Sequence, residues 1–473
     1  MPDATIIGSG PNGLASAIRL AQEGLSVTIY EKADTIGGGT RTRELTQPGF
    51  KHDICSAIHP MAKASPFLKS LPLEDYGLAW IQPDVPVAHP LDEQSAAALF
   101  RSLDRTVEHL GRDGKKYRKL VGTLLNSWEK LSTDILAPFS LTPSHPLLMA
   151  RFGLQALRSA EGLAKRFTTP KGRALFAGLA GHGMLSFNKT ASAGIPLVLG
   201  ISAHKVGWPL PKGGSHAITK AMAAYFESLG GTIKTGTEIH TVDQLPDSKT
   251  VFFNTTPNQI LSIAGDKLSQ KYSNKLRRYQ HGCGVFKLDL ALSEPIPWKD
   301  SICRRAGTVH VGGTFKEIAS SEAATNSGRH PEKPYVLVAQ QSLFDDSRAP
   351  SGKHTCWAYC HVPNGANKDM TNPILNQIER FAPGFRDCII AQHAMNTVAM
   401  ETYNPNYIGG DINGGKQDIT QLFTRPAGLF DPYHIPETNF YICSSSTPPG
   451  GGVHGMCGYH AAGSALRQEF SNQ

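Results

Sequence analysis

The chain has 473 residues, of which 40% are hydrophobic and 18% are charged. This composition excludes an intrinsically disordered protein, and the length predicts two closely packed domains rather than one core. The net charge of +8 is dispersed, without a basic run or a recognisable nucleic-acid module, so we predict no nucleic-acid partner.

The chain opens on a βαβ pattern. Residues 4–8 form a short apolar run, a helical pattern covers 14–23, and a second apolar run over 26–30 ends at Glu31. Alternation of this kind, with glycines between the first strand and the helix, is typical of a parallel sheet.

The segment from Gly8 to Gly13 matches G-x-G-x-x-G. In such a loop Gly8 permits the tight turn, Gly10 lets the backbone approach a diphosphate, and Gly13 allows close packing of helix on strand. Glu31 follows at the separation at which an acidic side chain binds ribose hydroxyls. The residues predicted to bind a dinucleotide here are Gly8, Gly10, Pro11, Asn12, Gly13, Glu31 and Lys32.

Two further glycine-rich segments favour FAD over NAD. The first, residues 37–42, adds a cation and hydroxyls directly after Glu31, an extension foreign to ordinary NAD domains. The second, residues 444–455, lies between a strand-like run and a helical pattern, where its backbone amides can face an anion or a ring carbonyl.

The middle of the chain predicts a second domain. Residues 147–167 form a helix-like stretch in which Arg151, Arg158, Lys165 and Arg166 alternate with apolar residues; we favour a helix packed on its own domain over one resting on an anionic membrane. Alternating runs at 285–292 and 355–362 indicate a mixed or antiparallel sheet.

We therefore predict an α/β protein with a discontinuous organisation. A Rossmann-type FAD-binding domain, similar to that of glutathione reductase, comprises residues 1–82, 205–282 and 436–473. An α+β substrate domain comprises residues 83–204 and 283–435. The helical pattern over 215–229, the β-like run at 232–235, the strand at 439–444 and the helix at 456–470 return to the first domain.

With these motifs located, the sequence resembles the phytoene dehydrogenase-related flavoproteins, within the superfamily of amine oxidases and carotenoid desaturases. Segments 56–60, 206–209, 409–412 and 448–458 carry the resemblance beyond the shared N-terminal fingerprint. The branch most similar is that of the pyridine nucleotide-disulfide oxidoreductase domain-containing proteins. The resemblance implies FAD, and we expect it to be noncovalent because no cysteine or histidine is placed convincingly for a covalent link.

Further cofactor residues are implied by the resemblance. Many superfamily members have Gly-Asp where this chain has Ser444-Ser445, so the acid that usually holds the ribityl chain or diphosphate is replaced by serine. The additional FAD residues implied are Gly38, Gly39, Thr40 and Arg41 on the phosphate and flavin side, Ile239 at adenine, and Ser445, Gly451, Gly452 and Val453 beside the ribityl chain and ring.

Three residues are candidates for catalysis. Lys287 resembles the strand lysine that holds a water near flavin N5 in several amine oxidases, and the alternative is a lysine at a strand edge. His59 and His454 are candidate general bases, since histidine titrates near neutral pH, and either could instead be structural. Trp208 and Tyr359 are candidate pocket walls.

The leading functional hypothesis is an enzyme that removes a hydride from an apolar polyene, isoprenoid or alicyclic substrate, with oxygen or a quinone as acceptor. A flavin amine oxidase, and a flavin-bound protein that contacts partners or a membrane without turnover, are the alternatives. The eight cysteines lack the spacing of a metal site, and without a secretory signal we expect reduced thiols and a cytoplasmic location, peripheral to the membrane as an alternative.

Overall fold

The computed structural model describes residues 1–93 and 95–471. The strands are β1 (Ala4–Ile7), β2 (Val27–Tyr30), β3 (Thr42–Glu44), β4 (Lys51–Asp53), β5 (Trp80–Ile81), β6 (Val85–His89), β7 (Ala97–Leu99), β8 (Leu210–Pro211), β9 (Thr232–Lys234), β10 (Thr250–Phe253), β11 (Gly284–Leu292), β12 (Ala306–Val311), β13 (Val336–Ala339), β14 (His354–Val362), β15 (Ile389–Met395) and β16 (Phe440–Ile442).

The described residues also form α-helices between and after these strands. They are α1 (Pro11–Gln22), α2 (Pro60–Ala64), α3 (Pro66–Ser70), α4 (Leu103–His109), α5 (Gly114–Asn126), α6 (Trp128–Ile135), α7 (Pro146–Ala156), α8 (Ala160–Ala164), α9 (Pro170–Gly181), α10 (Gly194–Val206), α11 (His216–Ser228), α12 (Pro257–Ala264), α13 (Gln270–Arg277), α14 (Phe315–Asn326), α15 (Thr371–Phe381), α16 (Thr397–Tyr403), α17 (Ile419–Leu422) and α18 (Met456–Glu469). Within the described ranges, no helix is long and apolar enough to cross a membrane.

A parallel sheet of strand order β16-β10-β1-β2-β9 forms the first layer. All four residues of β1 are buried, as expected for a parallel strand covered on both faces. Helix α1 crosses α18 closely, because a Cβ on Gly458 would lie 1.9 Å from the carbonyl oxygen of Asn12. Sequence-distant segments thus build this layer together.

A second sheet of order β15-β11-β14-β13-β12-β6-β7 is mixed. The β6–β12 pair is parallel and the other pairs are antiparallel. Cys356 and Cys360 lie on one face of β14, and both are buried. The predicted fold class is confirmed. The strands of each sheet fall within the residue ranges proposed for its domain, while the domain boundaries themselves stay a prediction.

The stretch 147–167 differs from expectation. It forms two helices rather than one, because the Ser159 side chain accepts a hydrogen bond from the N–H of Gly162 and starts α8 as a new helix. Helix α7 packs against α6 and α10 through Leu148, Met149 and Phe152, as expected for a helix packed on its own domain, while Leu147 and Leu154 are 87% and 72% exposed.

Candidate cofactor and substrate site

A cavity of about 650 Å³ opens at the carboxyl ends of the parallel strands and continues to the second sheet. Ligands of open α/β sheets bind at this edge. The predicted cofactor residues that line the cavity are Gly8, Gly10, Pro11, Asn12, Glu31, Lys32, Gly38, Gly39, Thr40, Arg41, Ile239, Ser445, Gly452 and Val453.

The fingerprint glycines have separate structural roles. Gly8 has a φ of +99°, which favours glycine, and the N-terminus of α1 has no side-chain cap at Gly10. Gly13 does not line the cavity; a Cβ there would lie 2.1 Å from the carbonyl oxygen of Gly8. Gly13 therefore holds α1 against β1, as its predicted packing role requires.

Glu31 is held in place by four donors. Its carboxylate accepts hydrogen bonds from the N–H and Oγ of Ser9 at 2.9 and 2.7 Å, and from the N–H of Ala33 at 2.9 Å. Arg41 completes the set at 3.1 Å and also donates to the carbonyl oxygens of Thr35 and Ile36. The Arg41 guanidinium thus braces the loop that follows β2 as well as lining the cavity.

The outer end of the cavity carries the predicted adenosine residues. Lys32 pairs with Glu238 at 2.7 Å, and Ile239 is buried beside them. Both acidic residues that line the cavity within the described chain, Glu31 and Glu238, lie on this nucleotide side.

The loop after β16 approaches the fingerprint from the opposite side. Asn12 Nδ2 lies 3.5 Å from Ser445 Oγ, and Gly452 and Val453 line the cavity next to it. Gly451 does not line the cavity, because it packs on the backbone of Asn413, with a Cβ position 2.8 Å from that carbonyl oxygen. The contact predicted between Gly451 and the cofactor is therefore replaced by a contact within the protein.

The second sheet supplies an apolar wall. Leu337 on β13 and Trp357 and Tyr359 on β14 line the cavity, and the two aromatic rings lie 5.0 Å apart. Trp208, predicted as a wall residue, donates from Nε1 to Thr308 Oγ1 at 2.8 Å. This part of the cavity suits an apolar ligand.

His59 lies on the cavity wall at the start of α2. Ser215 Oγ donates to the carbonyl oxygen of Ser56 at 2.7 Å and therefore accepts from His59 Nε2 at 2.8 Å. This leaves Nδ1 without a proton. Burial lowers the pKa of His59 to about 4, so the imidazole is neutral at pH 7.

Lys287 does not line the cavity. It is buried, forms an ion pair with Asp289 on the same strand, and lies 6.0 Å from the centroid of the Trp357 ring, which does line it. Burial raises the pKa of Asp289 to about 6, against the opposing effect of Lys287. The structure thus places Lys287 behind the wall rather than at the open space where it was expected.

His454 is likewise away from the cavity. It is buried, its Nδ1 accepts a hydrogen bond from the N–H of Met456 at 3.1 Å, and its carbonyl oxygen accepts one from Ser65. These bonds fix the start of α18. His454 therefore has the structural role given as its alternative, and it does not lie at the expected position beside the flavin ring.

The structure adds site residues that the sequence patterns missed. His182, at the end of α9, lines the cavity and lies 2.9 Å from His310, Nε2 to Nε2; burial lowers its pKa to about 3. Asn254 directly follows β10 at the carboxyl edge of the sheet, a position that could have identified it. Further cavity residues that no local motif marks include Leu199, Thr256, Tyr403, Asn406, Tyr407 and Gly414.

These residues fit FAD. The uncapped N-terminus of α1 offers N–H donors to phosphate, and the side-chain oxygen of Asn12 is buried without a partner. A Cβ on Gly38 would lie 3.2 Å from the Cα of Gly10, so glycine at this position keeps open the space between the segment Gly8–Gly13 and residues 37–42. We call this space the glycine cradle. When bound, FAD supplies a two-electron acceptor for a hydride.

Comparison with known proteins agrees with this site. Residues 6–71 match the NAD(P)-binding Rossmann-like domain family. The chain is 23% identical to mouse pyridine nucleotide-disulfide oxidoreductase domain-containing protein 2, covering 97% of this chain and 92% of the relative. It is 25% identical to the phytoene desaturase (lycopene-forming) of Pantoea ananas, covering 99% of each.

The fold is also that of a solved flavin amine oxidase-like enzyme. Putrescine oxidase bound to putrescine superposes with a TM-score of 0.61 at 16% identity, over 99% of each chain. Together, the glycine cradle, the relatives and the fold indicate an FAD-dependent oxidoreductase that is similar to the phytoene desaturases and to the pyridine nucleotide-disulfide oxidoreductase domain-containing proteins.

Proposed function

We propose that this enzyme removes a hydride and a proton from adjacent carbons of an apolar polyene, isoprenoid or alicyclic substrate, leaving a carbon–carbon double bond. The observation that carries the proposal is the wall formed by Leu337, Trp357 and Tyr359. No carboxylate of the described residues joins that wall, since Glu31 and Glu238 lie on the nucleotide side. Transfer of an apolar substrate from water to this wall is favourable, whereas an ammonium substrate would lack a counter-charge there.

The proton lost with the hydride needs an acceptor inside the cavity. His59 and His182 both line it and are both neutral at pH 7, because burial holds their pKa values near 4 and 3. Either imidazole can bind a proton during turnover and return it to water later. The hydrogen bonds to Ser215 and His310 orient the two rings.

The amine oxidase alternative has weaker support. It is favoured if Lys287 faces flavin N5 and the pocket offers aromatic walls or a carboxylate clamp. Trp357 and Tyr359 supply aromatic walls, but Lys287 does not line the cavity and pairs instead with Asp289 behind the wall. The alternative of a flavoprotein without turnover predicts a ring that substrate cannot reach. The continuation of the cavity as far as Trp357 and Tyr359 favours turnover instead.

We propose oxygen or a quinone as electron acceptor, since the sequence carries one dinucleotide fingerprint, at Gly8 to Gly13.

We also propose a peripheral contact with an anionic bilayer through α7 and the segment before it. Five exposed hydrophobic residues lie between positions 139 and 157, alongside Arg151 and Arg158: Phe139, Leu141, Leu147, Leu154 and Leu157.

The test is an absorbance spectrum of the purified protein before and after heat release of the chromophore, followed by anaerobic titration. Phytoene is the apolar probe and putrescine the amine probe. We expect a releasable FAD spectrum that bleaches with phytoene or another apolar alkene and not with putrescine. Bleaching by putrescine alone would replace the proposal with amine oxidation, and a flavin that no probe reduces would favour the protein without turnover.

A further inference from the structure

Arg425 is a buried cation with no counter-charge. Its side chain is fully buried, and the hydrogen-bond acceptors that it has among the described residues are all neutral oxygens. Nη2 donates to the carbonyl oxygens of Ser445 and Gly414 at 2.8 and 3.1 Å and to Tyr279 Oη at 3.1 Å. Nε and Nη1 have no hydrogen-bond partner. Burial of an unpaired charge is strongly unfavourable, so an anion is expected nearby when the protein is functional.

Only one layer of backbone separates Arg425 from the cavity. Gly414 and Ser445, whose carbonyl oxygens it binds, both line the cavity. On the other side of Ser445 lies Asn12, in the fingerprint at the start of α1. A Cβ on Gly450 would lie 2.9 Å from Arg425 Nη1, so glycine at this position leaves room for the guanidinium.

The same contacts change what the cavity lining at Gly414 and Ser445, a second wall distinct from the apolar one, offers to a ligand. The carbonyl oxygen of Gly414 also accepts hydrogen bonds from Tyr279 Oη at 2.6 Å and Ser446 Oγ at 3.0 Å. With the carbonyl oxygens of Gly414 and Ser445 bound to donors behind the wall, fewer acceptor groups face the cavity. A wall of this kind, with a cation behind it, attracts an anionic group.

A buried carboxylate close to Gly414 in sequence, Asp411, already has hydrogen-bond donors. Its oxygens accept hydrogen bonds from the N–H groups of Gly282, Asn413 and Gly415 at 2.7, 2.8 and 2.9 Å. Many superfamily members have an aspartate where this chain has Ser445, so that acid is also missing here.

We propose that Arg425 is the counter-charge of the cofactor diphosphate and acts through the wall formed by Gly414 and Ser445. It is a positioning residue, since it does not line the cavity itself. The proposal rests on the assignment of FAD to this site, and it assigns the charge to the diphosphate rather than to the flavin ring.

The test separates the two parts of the cofactor by using ADP and adenosine as probes. Both contain the adenosine group, and only ADP contains the diphosphate. Binding is measured by calorimetry on the full-length apoprotein for wild type, R425Q, R425K and, as control, R386Q, which changes an exposed arginine. We expect R425Q to weaken ADP binding by about tenfold or more and leave adenosine binding unchanged. R425K retains the charge and should keep most of the preference for ADP.

Equal losses for ADP and adenosine in folded R425Q would reduce Arg425 to a packing role and overturn the proposal. Unchanged ADP binding with a shifted midpoint potential of bound FAD would also overturn it, by assigning the charge to the ring. If R425Q fails to fold, R425K decides, because loss of the ADP preference despite a retained charge contradicts the proposal. Failure of the FAD assignment is distinct, since wild type would then bind neither FAD nor ADP.

Discussion

Gly10 and Gly13 are three residues apart in one motif and differ in what surrounds them. A Cβ on Gly10 meets only Asn254 Nδ2, at 3.0 Å, and otherwise enters the cavity, whereas one on Gly13 would overlap the carbonyl oxygen of Gly8. The first position is therefore constrained by the ligand and the second by the fold.

We expect G10A to keep the apoprotein stable while weakening FAD binding by about tenfold or more, or about 1.4 kcal/mol, because its methyl group occupies the approach of the diphosphate. We expect G13A to lower the free energy of unfolding of the apoprotein by about 1–3 kcal/mol, because α1 must move away from β1. Fluorescence titration with FAD and urea unfolding measure the two effects. Equal loss of stability in both variants would contradict the distinction.

The buried histidines provide a prediction about pH. The pKa of His59 is about 4 in the folded protein and near 6.5 when unfolded, so the unfolded state binds more protons between these values. Its contribution to stability is present above pH 6.5 and is lost as pH falls toward 4, amounting to at most about 3 kcal/mol.

H59Q retains a donor for Ser215 and removes the titration. We expect its free energy of unfolding to fall less than that of wild type between pH 6.5 and 4. H240Q, which changes an imidazole with a largely exposed side chain, is the matched control and should follow wild type. Identical pH profiles for H59Q and wild type would argue that His59 is charged or exposed in the folded state.

At the scale of elements, the sequence pattern of α7 predicted a packed helix but not the exposure of Leu147 and Leu154. The alternation of arginines with leucines is compatible with either a packed or an exposed helix, because amphipathicity does not say what covers the apolar face. Only the positions of the surrounding helices decide it. The α1 and β2 pattern was predicted correctly because its signals, glycines and a terminal acid, are local in sequence.

We expect the double variant L147S/L154S to lose binding to vesicles of phosphatidylglycerol and phosphatidylcholine, by about tenfold for each leucine removed from the bilayer. The residues are seven positions apart and therefore share a helix face. The control is I390S/V398S, which changes two hydrophobic residues exposed elsewhere, at 41% and 57%. Cosedimentation measures binding, and equal retention by both double variants would remove α7 as the contact.

At the scale of the whole molecule, the cavity draws on segments near positions 8–12, 31–41, 237–263, 402–414 and 444–453. The glycine-rich segments were predictable because each carries its own backbone signal. His182, Asn406 and Arg425 were not, since each acquires its role from neighbours far away in sequence. The same limit explains Lys287, whose partner Asp289 is close in sequence but whose burial behind Trp357 depends on the packing of both sheets.

A site shared by so many segments predicts that FAD stabilises the molecule as a unit. At free FAD about one hundred times its dissociation constant, the free energy of unfolding should rise by about 2.7 kcal/mol. FMN lacks the adenosine group and should have a smaller effect at equal concentration. Thermal unfolding followed by circular dichroism measures both. A separate transition that FAD leaves unshifted would show that part of the chain folds independently of the site.

The crossing of α1 and α18 at Asn12 and Gly458 also orders events during biosynthesis. The fingerprint emerges from the ribosome some 440 residues before the helix that packs on it, so the nascent chain carries an incomplete site for most of translation. A complete site for the flavin therefore forms only after synthesis has passed α18. A cell short of FAD would accumulate chains that contain both helices but no flavin, and its quality-control proteases would meet that form first.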